Sequence, residues 1–256
     1  MKNLRKRVLA GETLFGCFLN LGSSLTAEIV GMAGFDWVLI DLEHGAGFEG
    51  HVLHQLQALE HTQAAALVRV ESFQRQRLHR VLDLGAHGIM VPRVSNQEEA
   101  LAAVRGLRYP PQGVRGVASM NRACQFGEGF RAYVSEANTS LLGIVQIETE
   151  ESLNNLDAIA ETDGVDVLFL GPLDLSHGLG IAGQFDHPRF LEALQATASA
   201  AQRHGKAAGT LIGRPQDLPK YASLGYRFIG CGSDGGLLSS AARHTVEELR
   251  SASRRE

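Results

Sequence analysis

The sequence predicts an α/β protein folded as a single closed (β/α)8 barrel, the TIM-barrel architecture, over residues 1–256. Three observations predict it. Apolar runs rich in β-branched residues alternate with helix-period segments from end to end, the pattern of repeated βα units on a parallel sheet. The runs are almost continuously apolar, as in strands buried on both faces. Eight such units in about 250 residues match the size of a closed barrel. The rival, a doubly wound open sheet, usually carries a Gly-rich phosphate loop after its first strand. Here "NLGSSLTAE" (20–28) lacks the G-x-G-x-x-G spacing.

The first predicted strand is "TLFGCFLN" (13–20), followed by the helix pattern "SSLTAEIVGMAG" (23–34). "FDWVLIDLEH" (35–44) and "AAALVRV" (64–70) are the second and third strands, and "FQRQRLHRVLDLG" (73–85) is helical. Then come "HGIMVPRV" (87–94), "LLGIVQIE" (141–148) and "VDVLFLGP" (165–172). The helix pattern "HPRFLEALQATASAAQRHG" (187–205) precedes the last two strands, "KAAGTLIG" (206–213) and "YRFIGCGSD" (226–234). Several helices close on Gly, which reaches the left-handed conformation that ends a helix. One connection, 108–129, is too long for an ordinary turn. Loops of that length in compact domains are usually functional or ordered by a partner. Its Pro-Pro corner, Gly-bounded Arg115 and apolar Val117, Met120 and Phe126 predict packing in a subunit interface, as one wall of a neighbour's site. The alternative is a loop folded over the bottom of its own barrel.

Composition excludes several functions. The chain is 44% hydrophobic and 20% charged, with net charge −4 and no basic run beyond short terminal ones, so no nucleic-acid partner is expected. No apolar stretch approaches the length of a membrane span, and the N-terminus does not read as a signal peptide. Cys17, Cys124 and Cys231 are far apart and form no C-x-x-C pair, which suits a reducing cytoplasm and gives no zinc site.

In a closed barrel the active site lies at the carboxyl ends of the strands. Those ends carry Asp41, Glu43 and His44, then Arg69 and Glu71, Gln146 and Glu148, Asp174 just past Gly171-Pro172, and Ser233 and Asp234. Glu148 and Asp174 come from consecutive strands. Two carboxylates brought together repel unless a proton or a cation lies between them, and hard oxygen ligands favour Mg2+ or Mn2+ over Zn2+. The plainer reading makes both of them helix caps. His44 is a candidate general base, as a side chain that titrates near neutrality. Arg69 ends an apolar strand, a costly place for a guanidinium unless an anion binds there or Glu43 or Glu71 pairs with it. The lysines, Lys2, Lys6, Lys206 and Lys220, fall away from the strand ends, so Schiff-base chemistry is not expected. A metal-held 2-oxo acid needs no lysine.

The segments "AGFDWVLIDLEH" (33–44), "LDLGAHGIMVPRV" (82–94), "RYPPQGVRG" (108–116), "VQIET" (145–149) and "GPLDLS" (171–176) resemble the HpcH/HpaI family of class II pyruvate aldolases, over about Gly16 to Ala241. Within it the similarity is nearest to the branches acting on 4-hydroxy-2-oxoheptanedioate and 2-dehydro-3-deoxyglucarate. The resemblance implies a metal-dependent aldolase that cleaves 4-hydroxy-2-oxo acids to pyruvate, or a related 2-oxo acid, and an aldehyde. It implies Glu148 and Asp174 as ligands of a divalent cation (Mg2+, Mn2+ or Co2+), His44 as base, and Arg69 as the charge-stabilising arginine. It also implies Gln146, the Leu173 backbone and Asp174 as substrate contacts, Asp83 as the partner that raises the histidine's basicity, and assembly as a homohexamer. Many relatives carry a smaller residue at the Leu173 position, a change that keeps the backbone contact and bears on pocket shape, and "DLEHGAG" departs from the D-G-E-H-A-P form of the best-known members, which bears on aldehyde preference and not on the catalytic set. The other readings are a malyl/citramalyl-CoA-type lyase, which would need a basic surface for the CoA phosphates, and a non-catalytic metabolite-binding barrel.

Overall fold

Each of the eight apolar runs forms one strand in the computed structural model, which describes Lys2 and residues 4–254. The strands are β1 (Leu14–Leu19), β2 (Trp37–Asp41), β3 (Ala65–Arg69), β4 (Gly88–Val91), β5 (Leu142–Ile147), β6 (Val167–Leu170), β7 (Ala207–Ile212) and β8 (Tyr226–Ser233). All pair in parallel in chain order, and β8 closes on β1. The helices are α1 (Leu4–Leu9), α2 (Ser24–Met32), α3 (Glu49–Ala58), α4 (Arg75–Asp83), α5 (Gln97–Leu107) and α6 (Phe130–Ser140), followed by α7 (Glu150–Asn154), α8 (Leu156–Glu161), α9 (Pro172–Gly178), α10 (Pro188–Arg203), α11 (Leu218–Ser223) and α12 (Asp234–Ala252).

Side chains alternate along a strand, so every second residue points into the barrel. The inward set begins apolar. Leu14, Trp37, Ala65, Leu142 and Val167 form an interior cluster with Phe169 and Phe228, closed below by Leu4 and Val8 of α1. Trp37 stacks on Phe228 with ring centroids 4.3 Å apart. Gly16 makes room for it, since a Cβ there would lie 2.1 Å from the indole. The same alternation continued upward changes chemistry. Trp37 and Leu39 are followed by Asp41, Ala65 and Leu67 by Arg69, and Leu142 and Ile144 by Gln146. The strand register sets Asp41 beside Arg69. An apolar floor and a polar rim therefore come from one period-two pattern. The outward residues meet the helices in a second, larger apolar cluster.

The opposite end of the barrel holds segment 108–129. Arg115 is its anchor, fully buried, with Nη2 donating to Asp83 Oδ1 (2.7 Å) and Nη1 to the Tyr133 hydroxyl (3.0 Å). Its guanidinium also lies 4.5 Å from the Tyr109 ring centroid. Part of the segment thus folds over its own barrel bottom, while Val117, Met120 and Phe126 stay exposed. Two further apolar faces are uncovered. In α12 only Asp234 is buried, and Leu237, Leu238, Val246 and Leu249 face outward. On α2, Leu25, Ile29 and Met32 are exposed. Among the described residues, no helix is long and apolar enough to cross a membrane.

Candidate active site

The rim opens into a cavity of about 810 Å³ whose walls include Asp41, His44, Arg69, Gln146 and Asp174. Arg69 is its most constrained member. Nε and Nη2 donate to the two oxygens of Asp41 at 2.9 and 2.7 Å, a bidentate fork. Nη1 lies 3.1 Å from Glu43 Oε2 and 3.4 Å from Gln146 Oε1. Burial alone would raise the Asp41 carboxyl, but the Arg69 fork and the N–H groups of His44 and Glu43 hold it below the usual carboxylate range. The salt bridge weighed for Arg69 is thus real toward Glu43, and larger toward Asp41. Glu71 turns away to Arg77 at 2.7 Å.

Neither carboxylate of the Glu148/Asp174 pair is a helix cap. Thr149 caps α7 through Ser152, and α9 begins at Gly171-Pro172 without a side-chain cap. Glu148 is buried, accepting from the Arg93 N–H at 2.7 Å and from Gln146 Nε2 at 2.9 Å. Arg93 adopts a left-handed φ of 53° to present that N–H, a backbone state uncommon outside glycine. Gly171 lets the carboxylate in, since a Cβ there would stand 2.5 Å from Glu148 Oε2. Asp174 makes no hydrogen bond or ion pair with the described residues. Burial pushes the Glu148 carboxyl up to about 7, with Asp174 and Glu43 adding to it against the Arg93 N–H and Arg69. A buried carboxylate raised this far beside an unpaired one is a site short of positive charge. It fits a hard divalent cation that takes one or two carboxylates and fills its other positions with water and substrate oxygens. Among the described residues no group of three or more His, Cys, Asp or Glu is placed to hold a metal ion, so any cation here rests on an open, two-carboxylate site.

The raised Glu148 carboxyl has a measurable consequence. Between the ordinary glutamate value and about 7, the cation-free fold holds a proton that the unfolded chain has lost. Stability conferred by this group therefore falls as pH rises through that window, by up to about 3 kcal/mol. In chelator, the melting temperature of the wild type should drop relative to Glu148→Gln on going from about pH 5 to about pH 8. Mg2+ or Mn2+ should restore more of it at the higher pH. Parallel pH profiles for the two proteins would contradict the assignment.

A family model described as HpcH/HpaI aldolase/citrate lyase matches residues 14–241, a span containing every rim residue named above. The chain belongs to this family. A 5-keto-4-deoxy-D-glucarate aldolase of Enterobacter sp. (strain 638) is 38% identical over 241 residues, covering 94% of each chain. A crystal structure of an HpcH/HpaI aldolase/citrate lyase family protein from Burkholderia cenocepacia J2315 superposes with TM-score 0.94 at 36% identity, over 98% of this chain and 100% of that one. An HpcH/HpaI aldolase from Desulfitobacterium hafniense DCB-2 gives TM-score 0.90 at 29% identity, over 96% of each.

Within this HpcH/HpaI barrel, the sequence-derived residues fall into two groups. His44, Arg69, Gln146, Leu173 and Asp174 share the rim cavity, and Glu148 lies beneath it, bonded to Gln146. Asp83 does not join them. It ends α4 on the opposite face and is tied to Arg115, because helices in a βα barrel run back toward the amino ends of the strands. Lys220 also departs from expectation. It lines the cavity because the short helices after β7 fold back over the rim, but its Nζ is paired with Asp186 at 2.6 Å. Asp41, which the sequence reading placed on the rim without a role, is the residue that holds Arg69. The available signal was its place two residues after Leu39, in register with Arg69.

Proposed function

We propose that the protein is a divalent-metal-dependent aldolase, a carbon–carbon lyase that reversibly cleaves 4-hydroxy-2-oxo acids to pyruvate, or a related 2-oxo acid, and an aldehyde. The observation that carries this reading is Arg69, locked by Asp41 and aimed at the same cavity as Gln146, beside the charge-deficient pair Glu148/Asp174. That arrangement suits an anion developing on one oxygen. Numbered from its keto end, 5-keto-4-deoxy-D-glucarate, the compound in the relative's name, is a 4-hydroxy-2-oxo acid.

In this reading Glu148 and Asp174 hold Mg2+, Mn2+ or Co2+, which when bound withdraws electron density from the 2-oxo group and stabilises the enolate. Gln146 and the Leu173 backbone orient the 2-oxo acid. His44 accepts the proton of the C4 hydroxyl. As that proton leaves, the C3–C4 bond breaks, C4 departs as the aldehyde carbon, and the bond's electron pair moves into the enolate. Arg69 donates to the enolate oxygen, a contact stronger in the transition state than in the ground state. Protonation at C3 gives pyruvate. Release of pyruvate from a panel of 4-hydroxy-2-oxo acids, followed with and without chelator, tests the assignment. Turnover that survives exhaustive chelation would sink it.

Asp83 and the exposed apolar faces support a homo-oligomer, a hexamer in the family resemblance. An Asp83 acting on His44 would come from a second copy of the chain, since its own barrel separates the two. The exposed side chains of α2, α12 and the 117–126 stretch are the surface such contacts would cover. Light scattering at micromolar concentration should find an oligomer that loses activity on dissociation; a fully active monomer would contradict this. The three free cysteines and the small-molecule chemistry suit a cytoplasmic setting.

A further inference from the structure

We infer that Asn20 reads the aldehyde half of the substrate: its side-chain amide nitrogen donates a hydrogen bond to a hydroxyl on C5, the carbon next to the one that leaves as the aldehyde. This rests on the aldolase reading above and adds a specificity-determining residue to it.

Asn20 directly follows β1 and lines the rim cavity. In the closed ring β1 lies beside β2, after which comes His44, and four places from β5, whose end carries Gln146 and Glu148. A 2-oxo acid held on the β5 and β6 side, with its C4 hydroxyl at His44, therefore directs the atoms beyond C4 toward β1. With the C4 oxygen engaged by His44, the first substrate atom open to a donor on β1 is the substituent of C5.

The local structure holds Asn20 rigidly at that place. Its main-chain N–H donates to Asp234 Oδ1 at 2.8 Å, and its main-chain oxygen accepts from the Ala46 N–H at 2.8 Å. The residue is thus tied both to the start of α12 and to the loop that carries His44. The side chain is pinned along one edge. The Gly235 N–H faces it at 3.3 Å, and because a main-chain N–H can only donate, the atom it meets is the amide oxygen, Oδ1. The close approach depends on glycine, since a Cβ at 235 would stand 2.8 Å from Oδ1. The NH2 edge is left to the cavity, and Nδ2 makes no hydrogen bond with the described residues. Ser233, another polar side chain of this wall, already accepts from the Gly236 N–H as the cap of α12. A fixed donor of this kind favours a substrate that carries an acceptor opposite it and disfavours the analogue that leaves the donor unpaired.

The test uses a matched pair of substrates, 4,5-dihydroxy-2-oxopentanoate and 4-hydroxy-2-oxohexanoate. They share the reacting end and have the same number of non-hydrogen atoms beyond it, and differ in a hydroxyl against a methyl on C5. Pyruvate release is followed for the wild type, Asn20→Leu and Asn20→Ser in the presence of Mg2+. The ratio of kcat/KM for the two substrates is compared between proteins, so that the inductive effect of the hydroxyl cancels. The ratio should fall by about 3- to 10-fold in Asn20→Leu, the range of one hydrogen bond between uncharged groups. Asn20→Ser, which keeps a donor, should retain part of it. The variants are expected to fold, because the Gly235 N–H keeps Asp234 Oδ1 at 2.8 Å and the main-chain contacts of residue 20 do not involve its side chain. Melting temperatures on the same samples check this. An unchanged ratio in folded Asn20→Leu, or an equal loss on both substrates, would overturn the inference while leaving the aldolase reading intact. Release of pyruvate from neither substrate by the wild type would overturn both.

Discussion

Arg69→Lys is expected to lower kcat by about 10²- to 10³-fold with the barrel still folded, the loss typical of removing one preorganised oxyanion donor. Lysine keeps the charge and loses the shape. The guanidinium makes two parallel bonds to Asp41 while Nη1 points toward Glu43 and Gln146, so one rigid plane satisfies the buried carboxylate and faces the cavity together. An ammonium cannot do both. It would collapse onto Asp41 and withdraw from the substrate oxygen. Stability should fall less than in Arg69→Met, which strands Asp41 as a buried, uncompensated charge and costs about 3–5 kcal/mol. Melting temperature and turnover measured on the same samples separate the effects. Near-normal turnover in a folded Arg69→Lys protein would show that Arg69 is a structural partner of Asp41 and nothing more.

A larger effect is expected for Glu148→Gln: at least about 10³-fold lower turnover at saturating divalent cation, with little loss of stability in chelator. The amide keeps the size of the side chain and can still accept from the Arg93 N–H. It removes a carboxylate that burial has already made costly to ionise. What it cannot supply is negative charge beside Asp174 to hold a cation. A folded variant with a tenth or more of wild-type turnover would remove Glu148 from the metal site. Isothermal titration with Mn2+ provides a readout independent of activity: the wild type should give a heat of binding, and Glu148→Gln should give none.

The barrel was legible because its strands are short, apolar and bounded, and each yielded a strand where the run predicted one. The rim was legible for the same reason. Period-two alternation carries Arg69, Gln146 and Asp41 inward from apolar residues two and four positions earlier, so side-chain direction follows from counting. Chemistry borne on excursions was harder to read. Lys220 reaches the cavity through the fold-back of the turns after β7, which no strand period encodes. The 108–129 segment mixes both cases: Arg115 is buried against Asp83, whereas Phe126, in a left-handed backbone state with φ 52°, stays exposed. The exposed apolar residues of α12, Leu237, Leu238, Val246 and Leu249, have no counterpart in the sequence reading, because which helix faces stay uncovered depends on packing between elements distant in the chain.

The most direct measurement needs no aldehyde and no knowledge of the physiological substrate. Pyruvate incubated with the protein in D2O should exchange its methyl hydrogens, followed by proton NMR, because the proposed role of the site is to stabilise the enolate, with or without an aldehyde. Exchange should require Mg2+, Mn2+ or Co2+, stop on chelation, fall sharply in Arg69→Lys and Glu148→Gln, and leave no adduct after borohydride. Exchange that continues in excess chelator, or a covalent pyruvyl adduct trapped on Lys220, would contradict metal-assisted enolate chemistry at Arg69, Glu148 and Asp174.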